Sequence, residues 1–190
     1  LDNPPALISA VRFLAYGNNI ALCHTMACRE EERMMTQSSG LLDKKTVHVV
    51  LIDDDDVDVE AVVRSFRVHG MSNPVTVFRN GAEALHALRG RFGRELTAAP
   101  FLVLLDLNMP MMNGIEFLDV IRSDPNLRRA IVFALTTSDT DEDKRAAYER
   151  HVAGYLVKSH LGVSYGALTQ MLDNYWRIVE FPTSFGAAIG

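Results

Sequence analysis

Asp53, Asp54, Asp55 and Asp56 follow the apolar run "VVLI" without a break. Two carboxylates about 4 Å apart repel by roughly 4 kcal/mol at the effective dielectric of a protein surface, so such a run either splays into water or holds a cation. A second apolar run, "FLVLL", delivers another acid, Asp106. A third, "IVFAL", is followed by Thr136, and a fourth, "GYLV", by Lys158. Carboxylate oxygens suit a hard cation such as Mg²⁺, which usually keeps several of its waters. A lysine and a hydroxyl supply what a phosphoryl group in transfer needs, namely charge compensation and hydrogen bonds to its oxygens.

The elements that must position these groups are regular from Val47 onward. Strand-length apolar runs at 47–52, 75–78, 101–107, 131–135 and 154–157 alternate with segments of helical period. The helices are expected at about Val57 to His69, through "AEALHALRG" after Asn80-Gly81, over "GIEFLDVIRS", over "DEDKRAAYERH", and from about Tyr165 to Val179. Near-continuous apolar strands separated by helices predict an α/β fold, a parallel sheet covered on both faces. In such sheets the functional site lies at the carboxyl ends of the strands, where Asp53, Asp54, Asp106, Thr136 and Lys158 all fall.

Composition limits the alternatives. The 190 residues carry a net charge of −5, and Lys and Arg form no block longer than a pair, which argues against a phosphate-backbone-binding face and so against nucleic acid as a partner. No apolar segment approaches the roughly 20 residues that span a bilayer; the best candidate, 13–28, is interrupted by Gly17-Asn18-Asn19 and carries His24. The start "LDNPPALISAVRF" lacks the basic region of a secretory signal. Cys23 and Cys28, the two cysteines, are too few with His24 for a metal centre. They are read as reduced thiols, and the protein is expected to be cytoplasmic.

The pattern resembles the CheY-like response-regulator receiver domain. "LIDDDD", "LLDLNMPMMNG", "ALTTS" and "GYLVKS" match the family's acid pair, phosphoacceptor aspartate, Thr or Ser, and Lys. The resemblance covers about residues 47 to 180. It implies a flavodoxin-like sheet of five parallel strands in the order 2-1-3-4-5, with Asp106 phosphorylated by a sensor histidine kinase. It also implies Mg²⁺ held by Asp54, Asp106 and the backbone carbonyl of Asn108, with Asp53 helping directly or through water, and Lys158 on the phosphoryl oxygens. Thr136 would move to hydrogen-bond those oxygens, and Tyr155 would be an aromatic switch, although an aromatic in an edge strand is also commonly just packing. "LTTSDTDED", "YERHVAGYLVKS" and "YWRIVEFP" are similar to phytochrome-associated single-domain regulators and point to a phytochrome-like kinase. Two departures stand out: Ser159 where most receivers have Pro, and the longer loop "RGRFGRELTAAP".

Other readings compete. A calcium loop starting at Asp54 fails, because position six is Val59 and position twelve is Ser65. A haloacid-dehalogenase-type phosphatase with Asp53 as nucleophile is met by Asp53, Asp55 and Val57, but beyond Lys158 only Asp173 and Glu180 remain for its second acidic pair. That reading also leaves Asp106 without a task. A receiver fold used as an unphosphorylated interaction module is the third alternative. Residues 1–46, with the linker-like "REEERMMTQSSGLLDKK", are expected to be an extension, disordered or partly helical, and 181–190 a tail. With so short a tail no effector domain is expected, and output by binding or onward phosphotransfer is expected instead, with no further enzyme activity. Met171, Trp176, Ile178 and Phe181 widen the apolar surface of the last helix and predict a homodimer there.

Overall fold

The strand sequences HVVLI, VTVF and FLVLL are buried at every position, which only a sheet covered on both faces can provide. A computed structural model of the chain describes residues 11–16, 19–22, 47–90, 100–162 and 164–181. Its elements are β1 (Val11–Tyr16), β2 (Asn19–Leu22), β3 (His48–Ile52), α1 (Asp56–Val68), β4 (Val75–Phe78), α2 (Gly81–Arg89) and β5 (Phe101–Leu105). They continue with α3 (Gly114–Ser123), β6 (Ile131–Thr136), α4 (Asp141–Glu149), β7 (Gly154–Val157), a 3-10 turn (Lys158–Leu161) and α5 (Gly166–Ile178).

The sheet order is β2-β1-β4-β3-β5-β6-β7. Its last five strands are mutually parallel, and counted from β3 they run 2-1-3-4-5, as expected. Alternate residues feed two cores. Val50 and Ile52 face one side, with Leu85 of α2, Phe117 of α3 and Ala147 of α4. Val49 and Leu51 face the other, with Val62 and Phe66 of α1 and Leu168 of α5. Full burial of each such large side chain contributes about 1.5–3 kcal/mol, so the register that sets the strand ends is strongly held.

Three observations depart from expectation. First, within the extension, 11–16 and 19–22 are neither helical nor disordered: they pair antiparallel with each other and add to the open edge of β4, Phe13 opposite Val75. An unpaired strand edge is a template for a further strand, and "VRFLAY" has the β-branched and aromatic content to use it. Second, β5 ends at Leu105 rather than 107, which puts Asp106 and Leu107 in the following loop. Third, Phe181 is buried in the core beside α5, its ring 6.0 Å from that of Tyr175, so it widens no exposed patch. Of the proposed patch, Ile178 is 79% exposed, whereas Met171 and Trp176 pack partly against the core. Among the described residues no helix is long and apolar enough to cross a membrane. Cys23, Cys28 and the loop 91–99 lie outside the described residues.

Candidate functional site

The four aspartates meet four different fates, each set by its place at the β3–α1 junction. The backbone N–H of Asp53 continues the ladder to Phe78 at 3.0 Å, which turns its side chain into the protein, where the residue is 1% exposed. Asp54 is exposed at the mouth of the site. Asp55 caps α1, its side chain accepting from the Val57 N–H at 2.7 Å. Asp56 lies in the first helical turn, which favours acids, and forms an ion pair with Arg79.

Asp106 is delivered in the same way from the neighbouring strand. Its N–H bonds to the Ile52 carbonyl at 2.9 Å, and the residue is 5% exposed. Downstream, Asn113 and Glu116 form a reciprocal capping box that starts α3. Gly114 then packs so tightly that an added Cβ would lie 2.4 Å from the Asp106 carbonyl oxygen. Gly114, the first residue of α3, is therefore a spacing residue, which lets the α3 start close against the loop that carries Asp106.

Lys158 joins the strand ends. Its buried ammonium lies 2.8 Å from Asp53 Oδ2, 2.8 Å from Asp106 Oδ2 and 2.6 Å from Asp58 Oδ2. The contact to Asp53 is an ion pair out of line for a hydrogen bond, so that buried oxygen has no hydrogen-bond partner. Burial pushes the Asp53 carboxyl up to about 6, against the opposing pull of Lys158 and the Asp55 N–H. Burial also works against the lysine charge, but Asp106, Asp53 and Asp58 outweigh it and raise the lysine above its ordinary value.

The hydroxyl side of the site is equally built. Thr136 ends β6, is fully buried, and its Oγ1 accepts from Asn108 Nδ2 at 3.4 Å and from the Ser138 N–H at 3.3 Å. Asn108 also donates its backbone N–H to Asp106 Oδ1 at 3.1 Å. Tyr155, half-buried on β7, donates its hydroxyl to the Ser138 carbonyl at 3.0 Å, and burial raises its pKa. All the residues anticipated from sequence are thus gathered at one sheet edge. At Ser159 the departure is accommodated without a cis bond: among the described residues no peptide is cis, and the chain enters the 3-10 turn directly.

Two members of the site were not anticipated, Asp58 and Tyr165. Asp58 is one of two acids in the first turn of α1, and nothing in sequence separates it from Asp56. Tyr165 precedes α5 in a left-handed conformation, φ 51° and ψ 22°, and donates its hydroxyl to Asp58 Oδ1 at 2.7 Å. Burial opposes ionisation of Asp58, yet the hydrogen bonds from Lys158 and Tyr165 hold its carboxyl below the ordinary range. Burial and the adjoining Asp58 together raise the Tyr165 phenol.

One oxygen from each of Asp53, Asp54 and Asp106 lies within 4.8 Å of the others. A cation about 2 Å from each ligand would need only a small closure, which the exposed Asp54 can make, and the buried Asp53 oxygen, ion-paired with Lys158 but without a hydrogen bond, is already in the cluster. The donor set is all oxygen, as Mg²⁺ prefers. It fits less well with a phosphatase, because the Asp55 carboxylate which that mechanism needs is committed to the helix cap.

Comparison with known proteins agrees with this geometry. The family model described as the response regulator receiver domain matches residues 49–170. Response regulator Rcp1 of Synechocystis is 32% identical over 128 residues, covering 67% of this chain and 87% of its own. Among solved structures, the phosphorylated cyanobacterial phytochrome response regulator RcpA superposes with a TM-score of 0.63 at 30% identity, covering 72% of this chain and 98% of that one. The Mn²⁺-bound form of Rcp1 superposes at 0.60 with 31% identity, covering 71% and 99%.

Proposed function

The chain belongs to the response-regulator receiver family of two-component signalling, and from that premise we propose that Asp106 accepts a phosphoryl group from a sensor histidine kinase in a Mg²⁺-dependent reaction. One observation carries the reading: a buried aspartate at the end of the central strand has an acid cluster beside it, a lysine against it, and a buried threonine linked to it through Asn108.

In this mechanism an Asp106 carboxylate oxygen forms a bond to phosphorus while the bond from phosphorus to the kinase histidine nitrogen breaks. Mg²⁺, held by Asp53, Asp54, Asp106 and the Asn108 carbonyl, would neutralise the acids and polarise the phosphoryl oxygens. Lys158, already 2.8 Å from Asp106, compensates the charge that accumulates on those oxygens. The Thr136 hydroxyl accepts its two present hydrogen bonds and keeps its own proton to donate. Turning toward the phosphoryl group would loosen its hold on Ser138, whose carbonyl carries Tyr155, and that chain is the proposed switch.

The Mn²⁺-bound neighbour Rcp1 supports a divalent cation, and the phosphorylated phytochrome response regulator RcpA supports phosphorylation and a phytochrome-type kinase as donor. We place the protein in the cytoplasm, acting through protein–protein contact and with no catalysis beyond its own phosphorylation and dephosphorylation. Self-association through α5 remains part of the proposal, now resting on exposed Ile178 and partly covered Trp176. Incubation with a radiolabelled, autophosphorylated phytochrome-type kinase tests the donor. Label should pass to this chain and not to its Asp106→Asn variant; label that stays on every such kinase tried would reject that class.

A further inference from the structure

We infer that Asp58, held by Tyr165, is a second counter-ion that receives the Lys158 ammonium when a divalent cation draws on Asp53 and Asp106. The inference rests on the reading of those acids as cation ligands and assigns two residues which that reading leaves idle.

The ammonium of Lys158 has three N–H groups and stands against three carboxylates. Two of these, Asp53 and Asp106, belong to the acid cluster; Asp58 does not. A dication in the cluster takes up negative charge from Asp53 and Asp106 and repels the ammonium beside it, so the lysine is left with one acceptor outside the cation's reach. Without Asp58 a lysine whose side chain is 5% exposed would either remain against the cation or lose its partners inside the protein, and both weaken cation binding.

Asp58 is built for this. Oδ2 meets Lys158 and Oδ1 accepts from the Tyr165 hydroxyl at 2.7 Å, so both oxygens are engaged and the carboxylate is kept from rotating into solvent. Tyr165 is 6% exposed. Its carbonyl accepts from the Thr169 N–H at 3.1 Å and the Thr169 hydroxyl at 3.3 Å in the first turn of α5. A bulky residue in the left-handed region is uncommon, and these contacts fix it there. Asp58 and Tyr165 are positioning residues, since they act through Lys158.

The test is a calorimetric titration of the full chain with MgCl₂. It compares wild type, Asp58→Asn, Tyr165→Phe, Lys158→Met and the Asp58→Asn, Lys158→Met double variant. Asp58→Asn should weaken Mg²⁺ about tenfold, the low end of what outer partners of metal ligands contribute, and Tyr165→Phe about threefold, as for one lost hydrogen bond. In the Lys158→Met background Asp58→Asn should matter less than about twofold, because the coupled partner is gone. Tyr165→Phe removes only a hydroxyl and decides the matter should Asp58→Asn fail to fold. An Asp58→Asn penalty that persists in full without Lys158, or Asp58→Asn and Tyr165→Phe binding as tightly as wild type, overturns the inference alone. A wild type that binds no Mg²⁺ overturns the inference together with the cation reading beneath it.

Discussion

Replacing Lys158 by Met keeps the length and most of the volume of the side chain but removes a cation that meets Asp53, Asp58 and Asp106 together. The side chains of Asp53 and Asp106 are 1% and 7% exposed, so their charges are left buried and unpaired. Removing one partner from a buried pair typically destabilises by about 3–5 kcal/mol. The loss has a ceiling, because a carboxyl can escape by binding a proton, at about 4 kcal/mol per group at pH 7 from the ordinary carboxylate range. Asp53, pushed up to about 6 by burial even with the lysine present, is already most of the way there. The expected loss for Lys158→Met, in EDTA at pH 7, is therefore about 3–4 kcal/mol. The sign of its pH dependence follows. A carboxyl whose folded pKa lies above its unfolded value contributes stability that is present at low pH and lost as pH rises through the folded value. Removing the lysine raises the Asp53 value further, so the gap between variant and wild type should narrow on going from pH 7 to pH 5. Mg²⁺ should also stabilise the variant more than wild type, since the cation then meets acids with no competing ammonium. Urea unfolding with and without Mg²⁺ at both pH values measures all three. A loss under about 1 kcal/mol, or a gap that is the same at pH 5 and pH 7, would refute the reasoning.

Three further outcomes are expected. Asp54→Ala should lose most of the Mg²⁺-induced rise in melting temperature and, without metal, melt no lower than wild type, because Asp54 is exposed beside other acids; an undiminished response in thermal scans would count against it as a ligand. Gly114→Ala should destabilise by about 1–3 kcal/mol in urea unfolding, since its Cβ would strike the Asp106 carbonyl; a neutral result would mean that the α3 start is free to move. Ile178→Glu should reduce self-association in sedimentation runs without changing stability, given its exposure; a wild type that is monomeric at high micromolar concentration, with and without acetyl phosphate, removes the dimer from the account.

The parts of the site that could be read in the sequence are those tied to strand ends. Asp53, Asp106, Thr136 and Lys158 each follow an apolar run, and parallel strands buried on both faces must present their carboxyl ends together. Asp58 was not legible, because its role depends on which way the first turn of α1 faces, and Asp56 two residues earlier turns to Arg79 instead. Tyr165 was hidden because its contact spans 107 residues and depends on a left-handed backbone that neither it nor Gly166 announces. The over-long β5 came from counting Leu107 with the strand, when it is buried in the loop beyond it. Phe181 reads in the sequence as one more apolar residue widening the α5 surface, yet the side of α5 that carries Tyr175 leaves a place for its ring. The edge strands at 11–16 and 19–22 depend on the open side of β4, a feature of the assembled sheet and not of the segment itself.

The central claim is that Asp106 alone carries the phosphoryl group. Intact-mass measurement after incubation with acetyl phosphate and Mg²⁺ addresses it directly, run on wild type, Asp106→Asn and Asp53→Asn. The account predicts a gain of one phosphoryl group on wild type, abolished by Asp106→Asn and by EDTA, with the modified peptide containing Asp106. Labelling that persists in Asp106→Asn and disappears in Asp53→Asn would contradict it and return the phosphatase reading.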